Sequence, residues 1–379
     1  MELLVKFIKK YVNILFGTGP VKVESFFTIF PNKTNAILDL DERYSCLLKF
    51  EPGKIIFYDE VNIDPSQNLH FHPTRYKNGG IFKTPDRYLF SLEAGCIFGT
   101  LGIIYDQVKR IAIDEATKDW FIPLKKNGLF TAFRINKPVY IDGVALSLCT
   151  VGSDGGFYHF LLEALPKLYL CEEIRHKIDY YIISGNKTDW KLKWLHRLGI
   201  REEQLIWQYG NAHYQFKQLL FTNKLNTDHQ ISSWSTDALR SLFKVDATEK
   251  KIDKVIYISR KNVLERELIW EDALLDKFPH IKKIDFSDMV PDETVKLMSE
   301  ARYIIAPHGA GLANLAFANK GISVLELYPS EKNYFPCYQR LCNQMSIQHQ
   351  VIWLDFQNPS SEYGIDFLKD RLEHFIKQS

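Results

Sequence analysis

From residue 153 onward, short apolar runs alternate with segments whose apolar positions recur at helical spacing. Strands are predicted at DYYIIS, FKQLLFTN, VIYISR, IKKIDF, YIIAP, SVLELY and QVIWLD. Helices are predicted at FYHFLLEALPKLYLCEE, where Pro166 should kink the chain, and at KLKWLHRLG and STDALRSLF. Further helices fall at LIWEDALLDKF, PDETVKLMSEA, GLANLAFAN, FPCYQRLCNQM and FLKDRLEHFI. Strands alternating with helices predict α/β architecture with parallel sheets. Residues 20–150 read instead as β-rich. CLLKFEPGKIIFYDEVNI predicts a hairpin turning at Pro52-Gly53, and VYIDGVALSLCT a second turning at Asp142-Gly143.

One unit stands out within this pattern. Tyr303–Pro329 reads as a strand, a Gly-rich turn His308-Gly309-Ala310-Gly311, a helix and a strand. Gly309 and Gly311 permit positive φ and a close approach of ligand to backbone. The helix that follows offers unpaired N–H groups and a positive dipole end, suited to phosphate. His308 and Glu326 fall at strand C-terminal ends, where open α/β sheets bind ligands. The plain alternative is a tight turn in a sheet.

PHGAGLANLAFANKGISVLELYP resembles the signature of glycosyltransferase family 61. SDGGFYHFLLEALPKLYL, VIYISRKNVLERELIWED and YFPCYQRLCNQM resemble the same family in the same order, and SLEAGCIFGTLGIIYD does so more weakly. The likeness spans roughly residues 90–355. It implies a GT-B fold, with two Rossmann-like domains facing a cleft. It implies inverting transfer from a nucleotide sugar, a UDP-sugar in the first instance, without a metal or resident cofactor. It also implies that Ser259-Arg260 contacts the donor phosphates and that the last helix crosses back to the first domain. Many members have Asn where Gly156 stands, so that side chain's contacts are missing here. The expected layout is a basic helix at 1–17, an acceptor-side domain at 18–240, a donor domain at 241–355 and the crossing helix at 356–379.

Without a metal, the leaving diphosphate needs cations and a helix N-terminus. Arg260 and Lys261 end a strand, facing the ligand crevice. Glu326 is expected to accept from ribose hydroxyls, His308 to donate to phosphate or the donor sugar, and Asn314 to lie one turn into the helix. The alternatives are a surface charge, a solvated carboxylate, a structural histidine and a surface amide. The first domain should supply the base. His159 and Glu163 lie four apart on one helix, so a carboxylate can orient an imidazole suited to general-base work. Asp154 is the competing base, and packing or acceptor binding is the alternative role for His159.

Composition narrows the setting. A chain of 379 residues with 46% hydrophobic and 25% charged residues describes a folded protein of two or three domains. A net charge of +2 lends no support to a nucleic-acid partner. Six cysteines without a CxxC fit a reducing compartment. No run approaches the length of a membrane-spanning helix. In MELLVKFIKKYVNILFG, apolar residues share one helical face while Lys6, Lys9 and Lys10 lie toward the other. That pattern fits a helix lying in a membrane interface, or one docked on the protein's own core. Asp39-Leu40-Asp41 matches a metal-binding DxD but precedes every Rossmann pattern, so a turn is the better reading. His70-Phe71-His72 lacks a third ligand. HGAG is similar to a hydrolase oxyanion segment, yet no GxSxG exists in the chain.

The expectation is a cytoplasmic enzyme, peripheral on the inner membrane face, that builds bacterial surface polysaccharide such as capsule or O-antigen on a glycan or lipid-linked acceptor. Its rivals are a nucleotide-sugar epimerase on the same scaffold and a non-catalytic carbohydrate-binding assembly protein.

Overall fold

The computed structural model describes residues 19–29, 46–68, 78–116, 123–131, 135–226, 230–245, 254–261, 263 and 265–377. The basic segment 1–17, Asp39-Leu40-Asp41 and His70-Phe71-His72 lie outside the described residues. The architecture is mixed α/β with parallel sheets. Two compact units form: Met1–Lys54 with Thr84–Asp228, and Ile55–Lys83 with His229–Ser379. The first boundary therefore falls near 228 rather than 240. Residues 55–83, expected in the first domain, belong to the second unit.

The first unit is built on a ten-stranded mixed sheet. Its parallel part holds β1 (Val139–Ser147), β2 (Tyr180–Ser184), β3 (Leu205–Gln208) and β4 (His213–Thr222), in the order β4-β1-β2-β3. Antiparallel strands Arg87–Glu93 and Gly95–Phe98 continue it beyond β4. Phe90, Leu92, Ile97, Ala145, Ile182, Phe216, Leu219 and Phe221 bury one core.

Neither predicted hairpin forms. β1 runs straight through Asp142-Gly143, and a register shift opposite it, between Phe216 and Gln218, absorbs the irregularity. A Cβ on Gly143 would lie 2.7 Å from the Tyr180 ring, so the glycine admits the neighbouring strand instead of a turn. Cys46–Glu51 pairs with Arg87–Glu93, while Ile55–Tyr58 pairs with Gly80–Lys83. Pro52-Gly53 is thus the point where the chain leaves one unit for the other. A Cβ at Gly53 would sit 2.2 Å from the Thr84 carbonyl, on the chain as it returns.

The second unit carries a five-stranded parallel sheet: β5 (Val255–Ile258), β6 (Lys282–Ile284), β7 (Tyr303–Pro307), β8 (Ser323–Pro329) and β9 (Gln348–Leu354), ordered β6-β5-β7-β8-β9. Alternate residues of each strand fill one layer. Tyr257, Ile305, Leu325, Leu327 and Ile352 pack there against Leu268, Leu274, Leu368 and Leu372. The last two come from the final helix, α1 (Ile365–Lys377). That helix was expected to serve the first domain; its apolar face is occupied by the sheet of its own unit. Burying two leucines contributes roughly 3–6 kcal/mol, enough to fix it there.

The free edge of β9 is also covered. The Gln67 amide donates to the Trp353 carbonyl at 2.7 Å and accepts from its N–H at 2.9 Å, and Ile63 bridges Val351. One side chain thereby takes the place of a strand and blunts an exposed edge. Ion pairing of Arg371 on α1 with Asp64, at 3.1 Å, ties the same segment down.

Candidate functional site

In the second unit the chain runs from β5 to β6 on one side, then returns to place β7 on the other side of β5. Such a reversal of strand order marks the usual ligand position in open α/β sheets, at the strand C-termini. Arg260 lies two residues past β5, and His308-Gly309 directly follows β7. The two are in contact. A Cβ on Gly309 would fall 2.2 Å from Arg260 Nη1 and 2.9 Å from its Cζ. The glycine exists to admit the guanidinium. Positive φ is not the reason, because Gly309 is extended at φ −179° and neither it nor Gly311 is among the glycines in the left-handed region. Gly311 has a packing role: its Cβ would meet Ile258 Cγ2 at 3.0 Å. The segment Ala310–Phe317 is a 3-10 helix rather than the predicted α-helix.

Strand register explains the buried chemistry. Ala306 pairs with Glu326, and Val324 with His349, so His308, Glu326 and His349 form a diagonal stripe on one face of β7, β8 and β9. His308 Nδ1 bonds Glu326 Oε1. Glu326 Oε2 accepts from the Tyr334 hydroxyl at 2.7 Å and from His349 Nε2 at 2.9 Å. Glu326 is 0% exposed. Burial works to raise its pKa, but the histidines win and hold the carboxyl at about 2. The ribose role expected for Glu326 does not fit such a carboxylate, whose oxygens are already engaged. Glu326 instead fixes the ring of His308, which Tyr328, Phe335 and Tyr338 enclose edge-on. Burial first, and the charges of Arg266 and Arg260 after it, press the His308 imidazolium below its ordinary pKa despite Glu326.

Arg266 was missed from the sequence, although it stands inside the segment VIYISRKNVLERELIWED. It adopts φ 60°, a left-handed conformation unusual for a side-chain-bearing residue, and its Nε is buried without a hydrogen-bond partner. Arg260 Nε donates to the Glu265 carbonyl at 2.9 Å. Among the described residues no carboxylate lies within ion-pair distance of either guanidinium. Burial first, then Arg266, lowers the Arg260 pKa. Two like charges held together without a counterion describe a site made for an anion.

Other expected donor residues are used differently. The Ser259 hydroxyl donates to Glu271 at 2.7 Å. Lys261 pairs with Asp272 at 2.6 Å on the surface, so its charge is answered within the protein. Asn314 is no surface amide: it is 0% exposed, its Nδ2 bonds the Gly311 carbonyl at 3.0 Å, and its Oδ1 is buried without a partner. Ala310 is part-exposed at the start of the 3-10 helix.

In the first unit, Asp154 lies on the turn after β1, and His159 and Glu163 on the helical segment that follows it. His159 Nδ1 lies 3.2 Å from Glu163 Oε2, both largely buried, as the spacing of four predicts. The helix is not regular. Phe160–Ala164 winds as a π-helix, with Leu165 N–H reaching back to Phe160, before Pro166 interrupts it and Lys167–Leu170 resumes. Such bulges are common at functional sites. A Cβ on Gly156 would meet the Gly152 carbonyl at 2.6 Å, so this turn has no room for Asn.

Two buried lysines, also missed, complete the surroundings. Lys191 donates to the carbonyls of Asp154 at 2.7 Å and Ser184 at 2.8 Å, pinning the Asp154 loop while the Asp154 side chain stays exposed. Lys167 bonds the Cys149 carbonyl; burial lowers its pKa to about 8 against the opposing fields of Cys149 and Glu163. Its position four residues after Glu163 was the available signal.

Residues 157–325 match the family model described as Glycosyltransferase 61. The match supports glycosyltransferase activity. No curated protein matches the chain. Among solved structures, E. coli heptosyltransferase WaaC with ADP aligns at 8% identity over 62% of this chain and 99% of that one, TM-score 0.30. A novel bacterial esterase aligns at 8% identity over 88% of this chain and 96% of the other, TM-score 0.16. Likenesses this distant bear on neither fold nor function. Among the described residues no helix is long and apolar enough to cross a membrane.

Proposed function

We propose that the chain is an inverting, metal-independent transferase of family 61 and GT-B type, moving a sugar from a nucleotide diphosphate to a glycan acceptor. The single observation that carries this reading is the pair Arg260 and Arg266. Both lack a carboxylate partner among the described residues, and they adjoin His308 where the strand order reverses. In this reading the second unit binds the donor, its diphosphate on the two guanidiniums and on the first N–H groups of the 3-10 helix. The first unit binds acceptor. Its His159, oriented by Glu163, takes the proton of the attacking hydroxyl as that oxygen bonds the anomeric carbon. The bond from that carbon to phosphate oxygen breaks, and the diphosphate leaves with the electron pair. UDP-sugars are the first donors to test, and a glycan or lipid-linked glycan of bacterial capsule or O-antigen the first acceptors. Cytoplasmic action at the inner membrane face, with residues 1–17 resting on lipid, belongs to the same proposal.

The test is release of UDP or GDP from a panel of nucleotide sugars, with and without acceptor glycans. Release that depends on acceptor supports transfer, whereas an epimer formed without acceptor points to an epimerase. Nucleotide affinity unchanged in Arg260→Ala/Arg266→Ala would remove the guanidinium pair from the donor site.

A further inference from the structure

We propose that His308 is neutral in the empty site and takes a proton at Nε2 when a nucleotide diphosphate settles beside Arg260 and Arg266, donating that hydrogen to the phosphate. This rests on the donor-site reading above and adds to it a chemical step, a proton drawn from solvent on binding.

The hydrogen-bond pattern fixes which nitrogen is available. Glu326 has three donors converging on two oxygens, His308 Nδ1, the Tyr334 hydroxyl and His349 Nε2. His349 Nδ1 is buried without a partner, which assigns its hydrogen to Nε2, because an orphaned lone pair costs less than an orphaned N–H. The carboxylate is therefore an acceptor for all three groups, and His308 carries its hydrogen on Nδ1. Its Nε2 makes no hydrogen bond to the described residues. A neutral ring so arranged offers phosphate only a lone pair, which repels it. A protonated ring offers a donor.

The charges that face His308 decide which form is present. Glu326 on β8 favours the cation. Arg260 and Arg266, on the loop after β5, oppose it. Tyr328 on β8 and Tyr338 on the helix Cys337–Met345 line the ring, and burial pushes both phenols far above ordinary values, so they stay uncharged. His349 reaches His308 only through Glu326. With the site empty, two cations and burial outweigh one carboxylate. Bound diphosphate cancels the arginine fields and adds negative charge of its own, so the balance reverses and the imidazole charges. Glu326, clamped by Tyr334 and His349, is the positioning residue that holds Nε2 toward the ligand.

The experiment is calorimetric titration of the full chain with UDP and GDP in MOPS and in Tris, buffers whose heats of ionisation differ. Binding should take up about one proton per site between about pH 6 and 8. The dissociation constant should rise about tenfold per pH unit across the upper part of that range. His308→Gln should bind more weakly and lose the proton uptake. Nitrogen NMR of the wild-type imidazoles supplies a readout that needs no variant. One ring should pass from a single-hydrogen to a doubly protonated form on adding UDP or GDP. Binding without proton uptake, or uptake that survives in His308→Gln with unmoved imidazole signals, overturns the proposal and leaves the donor site standing. If neither nucleotide binds, the donor-site reading itself fails, and this step with it.

Discussion

Gly309→Ala isolates the contact on which the donor site turns. The new methyl group would fall 2.2 Å from Arg260 Nη1, 2.9 Å from Cζ and 3.1 Å from Cδ. Backbone strain is not at issue, because φ −179° suits any residue. Something must move, and the far end of a part-exposed arginine moves more readily than strand β7. The fold should therefore stand, with a thermal midpoint close to wild type. The guanidinium, displaced from the crevice, would lose its charged hydrogen bonds to phosphate, worth about 1.5–3 kcal/mol. That corresponds to roughly a tenfold to hundredfold loss of UDP or GDP affinity. Calorimetry on Gly309→Ala, Arg260→Ala and the double variant completes the cycle. If the methyl group acts only through Arg260, the double variant should bind no more weakly than Arg260→Ala. Wild-type affinity in Gly309→Ala, or fully additive losses, would refute the claim that Gly309 exists to seat the arginine.

Three further outcomes are expected. His159→Ala should lower kcat by about 10²–10⁴-fold with donor affinity nearly intact, and Glu163→Gln by less; if instead Asp154→Asn abolishes turnover while His159→Ala does not, Asp154 is the base. Turnover should survive EDTA, and a loss restored by manganese or magnesium would contradict the metal-independent mechanism. Acid unfolding should report Glu326, whose folded-state pKa is depressed to about 2 from 4.5. A depressed carboxyl stabilises the fold above its unfolded value, and that contribution disappears as pH falls through 4.5 toward 2. The stability gap between wild type and Glu326→Gln should close over that interval, and a gap independent of pH would exclude an ionised Glu326.

The strands and helices of the second unit were legible because each obeys a local rule: apolar runs bounded by turns, and recurrence at helical spacing. The loop His308–Gly311 and the helix pair His159/Glu163 were legible for the same reason. Register was not. Nothing near position 326 says that Val324 will lie beside His349 and Ala306 beside Glu326, so a carboxylate expected at a strand C-terminal end stands instead in the middle of β8, fully buried and paired on both sides. The glycines misled in another way. Their number and spacing suggested backbone freedom, whereas Gly143, Gly156 and Gly309 each make room for a neighbour that only the folded chain supplies. Arg266 was hidden by being one cation among many, distinguished only by lacking a carboxylate to answer it.

The Gln67–Trp353 clasp has a consequence for how the protein is made. Its partners stand 286 residues apart in sequence. At ribosomal rates of about 5–20 residues per second, residues 55–83 emerge roughly 15–60 s before the strand they cover. Through that interval Ile56 and Tyr58, both buried in the finished fold, lack the helix Cys337–Met345, whose Arg340 lies over the Tyr58 ring, while the flanking chain can already assemble the first unit. Completion of the second unit therefore waits on the last strand, and a nascent chain stalled before β9 would present an apolar loop to solvent. Pulse proteolysis should find 55–83 cleavable in ribosome-bound chains and protected once the full chain is released.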